Sequence, residues 1–387
     1  MDSLKLTPVI GVGLMFASNG ALFASLLPWY PTLMREWGLS EATFGLTVAC
    51  FALGSILSST VPAPVVKRFG PQNTVIGATA VMAALLSLGG TLSSGLMLAV
   101  LLLALGFVDP IVDVAQNVAA VKVQDKVGFS IMSSVHAMWS LGAALGGAAA
   151  TLAVGEVAMT HHLLLAAVVA VVMATVGARM TGALPADVAE EKAGKPRNLQ
   201  TLWLVLPIVV VAMSGTIVEE VANSWAPLIA HQLAGVPVAD AGIALTLMLS
   251  AQCIGRFAGD PMINRWGRVR IAQFGGALIT VGAVLAIFSQ GTALLYLGLG
   301  LAGFGCATIV PSAFAAGAAL PGVSAGAGLT LVSWLMRISF LTASPIIGAI
   351  ASVSSLRVAL SLLVLGGVTI VLLGHKLNPR SVVTIEK

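Results

Sequence analysis

Between Ile271 and Met336 the chain carries no Asp, Glu, Lys or Arg. A helix needs about 20 apolar residues to cross the hydrocarbon of a bilayer, and this charge-free stretch holds several such lengths. It fixes the solvent first: the chain lies in lipid, where backbone polar groups must be satisfied within helices or closed barrels. Composition agrees. Only 9% of the 387 residues are charged and 58% are hydrophobic, with mean hydropathy +1.01, whereas a soluble domain carries about 25% charged residues. The length therefore counts membrane spans rather than soluble domains.

Charges mark where those spans end. Residues 6–34 and 42–66 give spans 1 and 2. The apolar run 69–108 breaks near GGTLSSG into span 3 and the start of span 4, which continues through Asp109 and Asp113. Residues 127–155 and 162–178 give spans 5 and 6. A polar linker, TGALPADVAEEKAGKPRN (181–198), follows. Spans 7 and 8 are 199–229 and 241–259. The charge-free stretch splits at SQGT and PGVSAG into spans 9, 10 and the first part of 11, and span 12 is 358–374. The expected fold is all-α and integral to the membrane. It has twelve helices in two six-helix units, 1–180 and 199–387, joined by the linker.

Orientation follows Lys and Arg in short loops. With both termini in the cytoplasm, fifteen Lys and Arg fall on inner segments, against Arg35 and Arg357 outside, while Arg256 and Arg337 lie within spans. The pI of about 9.2 then reflects basic residues facing an anionic inner leaflet; nucleic acid is not expected as a partner. The expected location is the inner (plasma) membrane. The apolar run after Lys5 exceeds the ~7–15-residue core of a signal peptide, so it reads as a retained first helix. Trp29, Tyr30 and Trp203 suit interfacial aromatic belts. Cys50, Cys253 and Cys306 have no metal or disulfide spacing, and no cofactor is expected.

The two units echo each other. Lys67-Arg68-Phe69-Gly70 and Asn264-Arg265-Trp266-Gly267 are 197 positions apart, and the same shift takes Leu105-Gly106-Phe107 to Ala302-Gly303-Phe304. A parallel repeat of six spans is the plan of major facilitator transporters. The loop after span 8, GRFAGDPMINRWGRVR, resembles the Gly-Asp and Arg-x-Gly-Arg signature of that superfamily. The resemblance implies a cytoplasmic gate in which Asp260 pairs with Arg265 or another cation, with Arg256 and Arg268 beside it. The first copy, VPAPVVKRFGPQN, lacks the Gly-Asp. Three further stretches resemble the fucose-permease-like, YbjJ-type branch: Asp113-Val-Ala-Gln-Asn117, then His136-Ala-Met-Trp139-Ser140-Leu-Gly142, and Glu219-Glu220-Val-Ala-Asn223-Ser224-Trp225. Glu220 and Ser224 depart from that branch's usual Gly and Asp.

A charged side chain at bilayer centre costs roughly 2.5–3.5 kcal/mol on insertion scales, so it faces protein or water. Asp109, Asp113, His136, Glu219, Glu220, Arg256 and Arg337 are the intramembrane candidates. Asp113 and His136 fall at similar depth on consecutive spans. On antiparallel neighbours they read as a proton relay, as a fixed structural pair, or as groups that make no contact. Asp109, before Pro110, reads as a cavity-lining group where the helix loosens, or as a buried protonated carboxyl. Asn117 suits a bond to another helix, or a ligand. Resemblance points to Glu219 as a substrate or proton carboxylate, with Asn223 one turn on. Trp225 reads as a ligand flank or an interfacial anchor. Arg337 needs Glu219, Glu220 or an anionic substrate. Asn19 is a cavity hydrogen-bonder or structural. Trp139 and Trp334 either stack on a ring or pack in the core.

Together these readings lead to one expectation: a monomeric, non-enzymatic secondary transporter, proton-coupled and symport-like, with H⁺ as the coupling ion. It would move a small polar solute, sugar-like or an organic anion, by alternating access. The alternatives are a proton-driven drug or metabolite efflux pump and, more remotely, a channel or intramembrane enzyme.

Overall fold

The computed structural model describes residues 3–129, 131–184, 199–320 and 325–378, and these are helical almost throughout. Before the linker lie α1 (Ser3–Ala24), α2 (Tyr30–Trp37), α3 (Glu41–Leu57), α4 (Pro62–Phe69), α5 (Pro71–Ser87), α6 (Gly95–Val127), α7 (Met132–Ala153) and α8 (Met159–Met180). After it come α9 (Leu199–Glu220), a π-helical turn (Val221–Trp225), α10 (Ala226–Ala234), α11 (Ile243–Trp266), α12 (Arg268–Ile287), α13 (Thr292–Cys306), α14 (Ile309–Ala318), α15 (Ala325–Val353), α16 (Leu356–Ala359) and α17 (Ser361–Leu373). Local chemistry sets their ends. Ser40 and Ser94 accept from the backbone N–H groups of Thr43 and Met97 as N-caps. Proline opens α4 and α5, where its missing N–H is harmless.

Among the described residues, nine helices are long and apolar enough to cross a membrane, or ten if α3 and α4, bent by 59°, form one broken span. The expected linker and one expected break fall partly on 185–198 and 321–324, outside the described residues.

In the first half, α1 is central. It packs on α7, α8 and α6, while α3 packs on α6, and α5 lies against α6 and α8. In the second half, α9 packs on α15, α17 and α14, α12 on α13 and α17, and α11 on α13. The halves meet where α3 packs on α15 and α7 on α11. Lipid supplies no hydrophobic drive between helices, so close packing does the work. Small residues permit it: a Cβ added at Gly106 would lie 1.9 Å from the Phe51 carbonyl oxygen, and one at Gly142 would lie 2.1 Å from that of Ala17.

The repeat is visible in three dimensions. Gly70 and Gly267 share one backbone conformation, φ 77° ψ 158° and φ 84° ψ 151°. The guanidinium of Arg68 lies 5.3 Å from the Phe69 ring, and that of Arg265 lies 5.4 Å from the Trp266 ring. Gly106 meets the carbonyl of Phe51, and Gly303 meets that of Met248, each pair displaced by the same 197 positions.

Two expectations are corrected here. Consecutive spans α6 and α7 are not close neighbours, because α1 packs against both of them. Trp29 and Tyr30 are buried in protein rather than set at an interface: Trp29 donates to His162 (3.2 Å), and Tyr30 packs edge-on to Phe44. Trp203 is exposed, as an interfacial residue would be.

Candidate functional site

A cavity of about 400 Å³ lies between the two halves. Its polar wall comes from Asn19 of α1, Asp109, Asp113 and Gln116 of α6, and His136 and Trp139 of α7. The second half adds Glu219 and Glu220 of α9, Asn223 and Ser224 of the π turn, Gln252 and Arg256 of α11, and Arg337 of α15. Leu, Phe, Met and Val side chains, among them Phe23, Phe51, Met82 and Phe340, complete it. One end is closed by contacts between the halves. Gly45 and Gly348 of the two halves lie against the backbones of Ser344 and Glu41. Gln232 donates to Glu41 (3.1 Å), and Phe44 meets Trp225 edge-on (5.3 Å).

On the first-half wall, Asn19 joins two helices. Its Nδ2 donates to Asp109 Oδ1 (3.3 Å), and its Oδ1 accepts from Trp139 Nε1 (2.6 Å). Helix α6 runs unbroken through Pro110. Asp113 faces open space in the cavity and accepts from Asn117 (3.0 Å) and Gln116 (3.4 Å). Asn117 also donates to the Asp113 carbonyl (2.9 Å). Its bonds are therefore local to α6, not to another helix as expected. Asp113 and His136 both line the cavity and lie within Coulombic reach, but no ion pair or hydrogen bond joins them. The intervening α1 holds them apart, with Phe16 edge-on to the His136 ring (5.1 Å).

The second-half wall is organised differently. Glu219 forms an ion pair with Arg256 (3.0 Å) and accepts from Gln252 (2.8 Å). Arg256 also donates to Ser140 across the halves (2.5 Å). Arg256, expected beside the cytoplasmic gate, points into the cavity, drawn by a carboxylate that it neutralises. Glu220 accepts from Ser224 (2.7 Å) and from Ser344. Ser344 in turn accepts from Trp225 (2.9 Å). Trp225 is fully buried, so it is neither a ligand flank nor an interfacial anchor. The π turn adds a residue to the helical repeat just after Glu220, as such turns often do at functional sites. Asn223 nonetheless lines the cavity, its Oδ1 buried without a partner.

Arg337 does not pair with Glu219 or Glu220. It donates to the backbone oxygen (3.0 Å) and hydroxyl (2.8 Å) of Ser55 across the halves. Helix α3 ends two residues later, which leaves that carbonyl available. Trp139 lines the cavity, whereas Trp334 is exposed away from it. The expected latch is not formed: Asp260 is exposed, and neither it nor Arg265 or Arg268 joins an ion pair among the described residues. No cluster of His, Cys, Asp or Glu fit for a metal occurs among the described residues. Sequence reasoning missed Ser55, Gln116, Gln252 and Ser344. Gln252, one turn before Arg256 in an apolar span, carried a usable signal. Isolated serines in apolar helices carry none.

The fold agrees with what this chain is similar to. It is 28% identical over 367 residues to an uncharacterized transporter, y4wD, of Sinorhizobium fredii, covering 91% of this chain and 93% of that one. It is 26% identical over 375 residues to the membrane protein MosC of Rhizobium meliloti, covering 95% and 89%. Among solved structures, a mutant of the nucleoside transporter NupG aligns over 97% of this chain and 99% of its own, with TM-score 0.70 and 14% identity. A bacterial homolog of the human lysosomal transporter Spinster, inward-facing and occupied, aligns over 96% of both chains with TM-score 0.68 and 14% identity. Residues 12–238 match the family model of the Major Facilitator Superfamily, and the chain belongs to that family of multi-pass membrane transporters.

Proposed function

We propose that the chain is a proton-coupled secondary transporter that carries a small polar solute, sugar-like or an organic anion, by rocking its two halves about the central cavity. The observation that carries this reading is the cavity itself. Both halves contribute ionisable groups to it, and the bonds between halves at Arg256–Ser140 and Arg337–Ser55 are few and polar enough to break in a cycle. In this reading the units are 1–180 and 199–387, and the count is twelve. Helices α7 and α11 are added to the ten spans that include the bent α3–α4 pair. Helix α11 is too polar to pass as a span on composition because it carries Arg256, Asp260 and Arg265.

Both termini are placed in the cytoplasm of a cell whose inner membrane holds a monomer. The closed end near Tyr30 and Glu41 then faces outward, and the unformed Asp260–Arg265 latch belongs to a state open to the cytoplasm. Within the superfamily we group the chain with the fucose-permease-like branch, on the Asp113–Asn117, His136–Gly142 and Glu219–Trp225 motifs. Asp109, Asp113 and His136 are the proton groups proposed, since they share the cavity wall and none has a cationic partner within bonding distance. Asn19, Glu219, Asn223 and Arg337 surround the solute.

A second reading, efflux of amphipathic compounds, is favoured by one observation: Phe23, Phe51, Met82 and Phe340 give the cavity an apolar side. Substrate-screened uptake into proteoliposomes under an imposed pH gradient separates the readings. Proton-coupled carriage predicts polar-solute movement that collapses with the gradient and in Asp113→Asn. Movement unchanged by both would refute the coupling.

A further inference from the structure

We propose that His162 is a proton site outside the cavity, at the outer seam between the halves, and that a proton bound there releases Trp29 and favours opening of that seam. His162 and Trp29 are 8% and 5% exposed. Trp29 Nε1 donates to His162 Nδ1 (3.2 Å), with the ring centroids 5.9 Å apart. Trp29 ends a short 3₁₀ helix, Leu27–Trp29, that carries the chain from α1 to α2. Its neighbour Pro28 is pressed against the second half: a Cβ added at Gly242 would lie 2.8 Å from Pro28 Cβ and 2.1 Å from Thr151 Oγ1. A pocket of about 730 Å³ spans the same seam, with Trp29, Arg35, Glu36 and Glu156 on one side and Val238 and Ala239 on the other. The bond therefore ties α8 to the piece of the first half that closes on the second.

A bond accepted at Nδ1 needs the neutral ring, with its proton on Nε2. Protonation fills the Nδ1 lone pair, so two donors face each other. A charge and an indole N–H are then both buried without an acceptor. Parting the rings relieves this, as the imidazolium turns towards water and the exposed Glu156 on the loop before α8. Competing charges are few. Among the described residues no charged side chain bonds to His162. Of the elements packed on α8, α5 and the turn Leu88–Thr91 carry no titratable side chain, α1 carries Lys5 in its first turn, and α7 carries His136 near its start. On α8 itself stand the exposed His161 and, at the far end, Arg179. Helix α2 adds Tyr30, packed on Phe44, and the exposed Arg35 and Glu36. Resting on the orientation given by the transporter reading, the seam faces the medium outside the inner membrane, the acidic side of a proton gradient. The switch thus opens the halves where protons are plentiful.

The test uses the full chain in liposomes, with Cys50, Cys253 and Cys306 replaced by Ala and spin labels at Thr32 and Ala239, on the two sides of the pocket. Pulsed electron resonance is expected to show a short distance at neutral pH and a growing long population towards about pH 5. The ratio of long to short rises by at most about tenfold per pH unit, the limit for one proton. His162→Gln keeps an acceptor and cannot be protonated in this range, so it should hold the short distance throughout. Trp29→Phe keeps a ring without the N–H, so it should show the long population already at neutral pH. A second reading needs no labels: the indole N–H magnetic resonance signal that Trp29→Phe removes should shift with the same midpoint. A parent distance that ignores pH, or a pH response in His162→Gln equal to the parent's, overturns the proposal. None of these readouts needs solute movement. A seam that opens with acid in a chain that moves no solute refutes the transporter reading and leaves the proton site standing.

Discussion

The two halves of the molecule share a frame and divide the chemistry. A shift of 197 positions carries α3 onto α11 and α7 onto α15, and with them the contacts between halves. Ser55, which holds Arg337, maps onto Gln252, and Arg337 maps onto Ser140, which holds Arg256 one turn from Gln252. The two polar clasps are thus near-images of each other across the cavity. The ionisable groups are not. Asp109 and Asp113 of α6 map onto Cys306 and Val310, and Glu219 and Glu220 of α9 map onto Leu22 and Phe23. The difference teaches that helix packing, set by glycines and turns, was kept in both copies. Each copy carries its own charges on the cavity wall. First-half carboxylates accept only from neutral amides, whereas the second half neutralises Glu219 with Arg256.

The largest expected effect breaks the shared frame. Gly106→Ala should destabilise by about 3 kcal/mol and Gly303→Ala by about 1 kcal/mol. The added Cβ meets backbone at 1.9 Å in the first copy and 2.6 Å in the second; thermal unfolding in detergent reads both. Next comes the charge partition. Arg256→Met leaves Glu219 without its cation and should cost about 2 kcal/mol, at the low side of buried-pair loss because the cavity admits water. Adding Glu219→Gln should restore most of that stability, since an uncompensated charge is the damage.

Asn19→Ala removes the bonds to Asp109 and Trp139 and should cost about 1–2 kcal/mol, with a change in Trp139 fluorescence. Ser344→Ala, which loses the link between Trp225 and Glu220, should cost about 1 kcal/mol. The smallest effect is at the twin turns. Arg68→Gln and Arg265→Gln each lose an exposed cation–ring contact worth about 0.5–1 kcal/mol, and should match each other within error.

Much of the frame was legible in the chain. Charge-free stretches located most helices, and the repeated Arg-x-Gly turns located the internal symmetry, because both depend on local composition. The cavity's membership was also legible: Asn19, Asp109, Asp113, His136, Glu219, Asn223 and Arg337 all line it, since an ionisable or amide group in lipid has few other places to go. Partners were not legible. Which helix α1 separates, and whether Arg337 meets Glu220 or Ser55, depends on three-dimensional order that hydropathy does not encode. Trp225 and Trp334 show the same limit. Both are large and amphipathic, yet one is fully buried and the other exposed.

Rocking of the halves about the cavity is tested most directly by distances between paired spin labels. Labels at Leu46 and Ile346, exposed on α3 and α15, report the closed end, and labels at Phe69 and Trp266, exposed at the far ends of α4 and α11, report the other. Pulsed electron resonance in liposomes, at neutral and acidic pH, should show two populations. The first pair lengthens in the population in which the second shortens. Both distances fixed under every condition, or both changing in the same direction, would contradict two-half rocking.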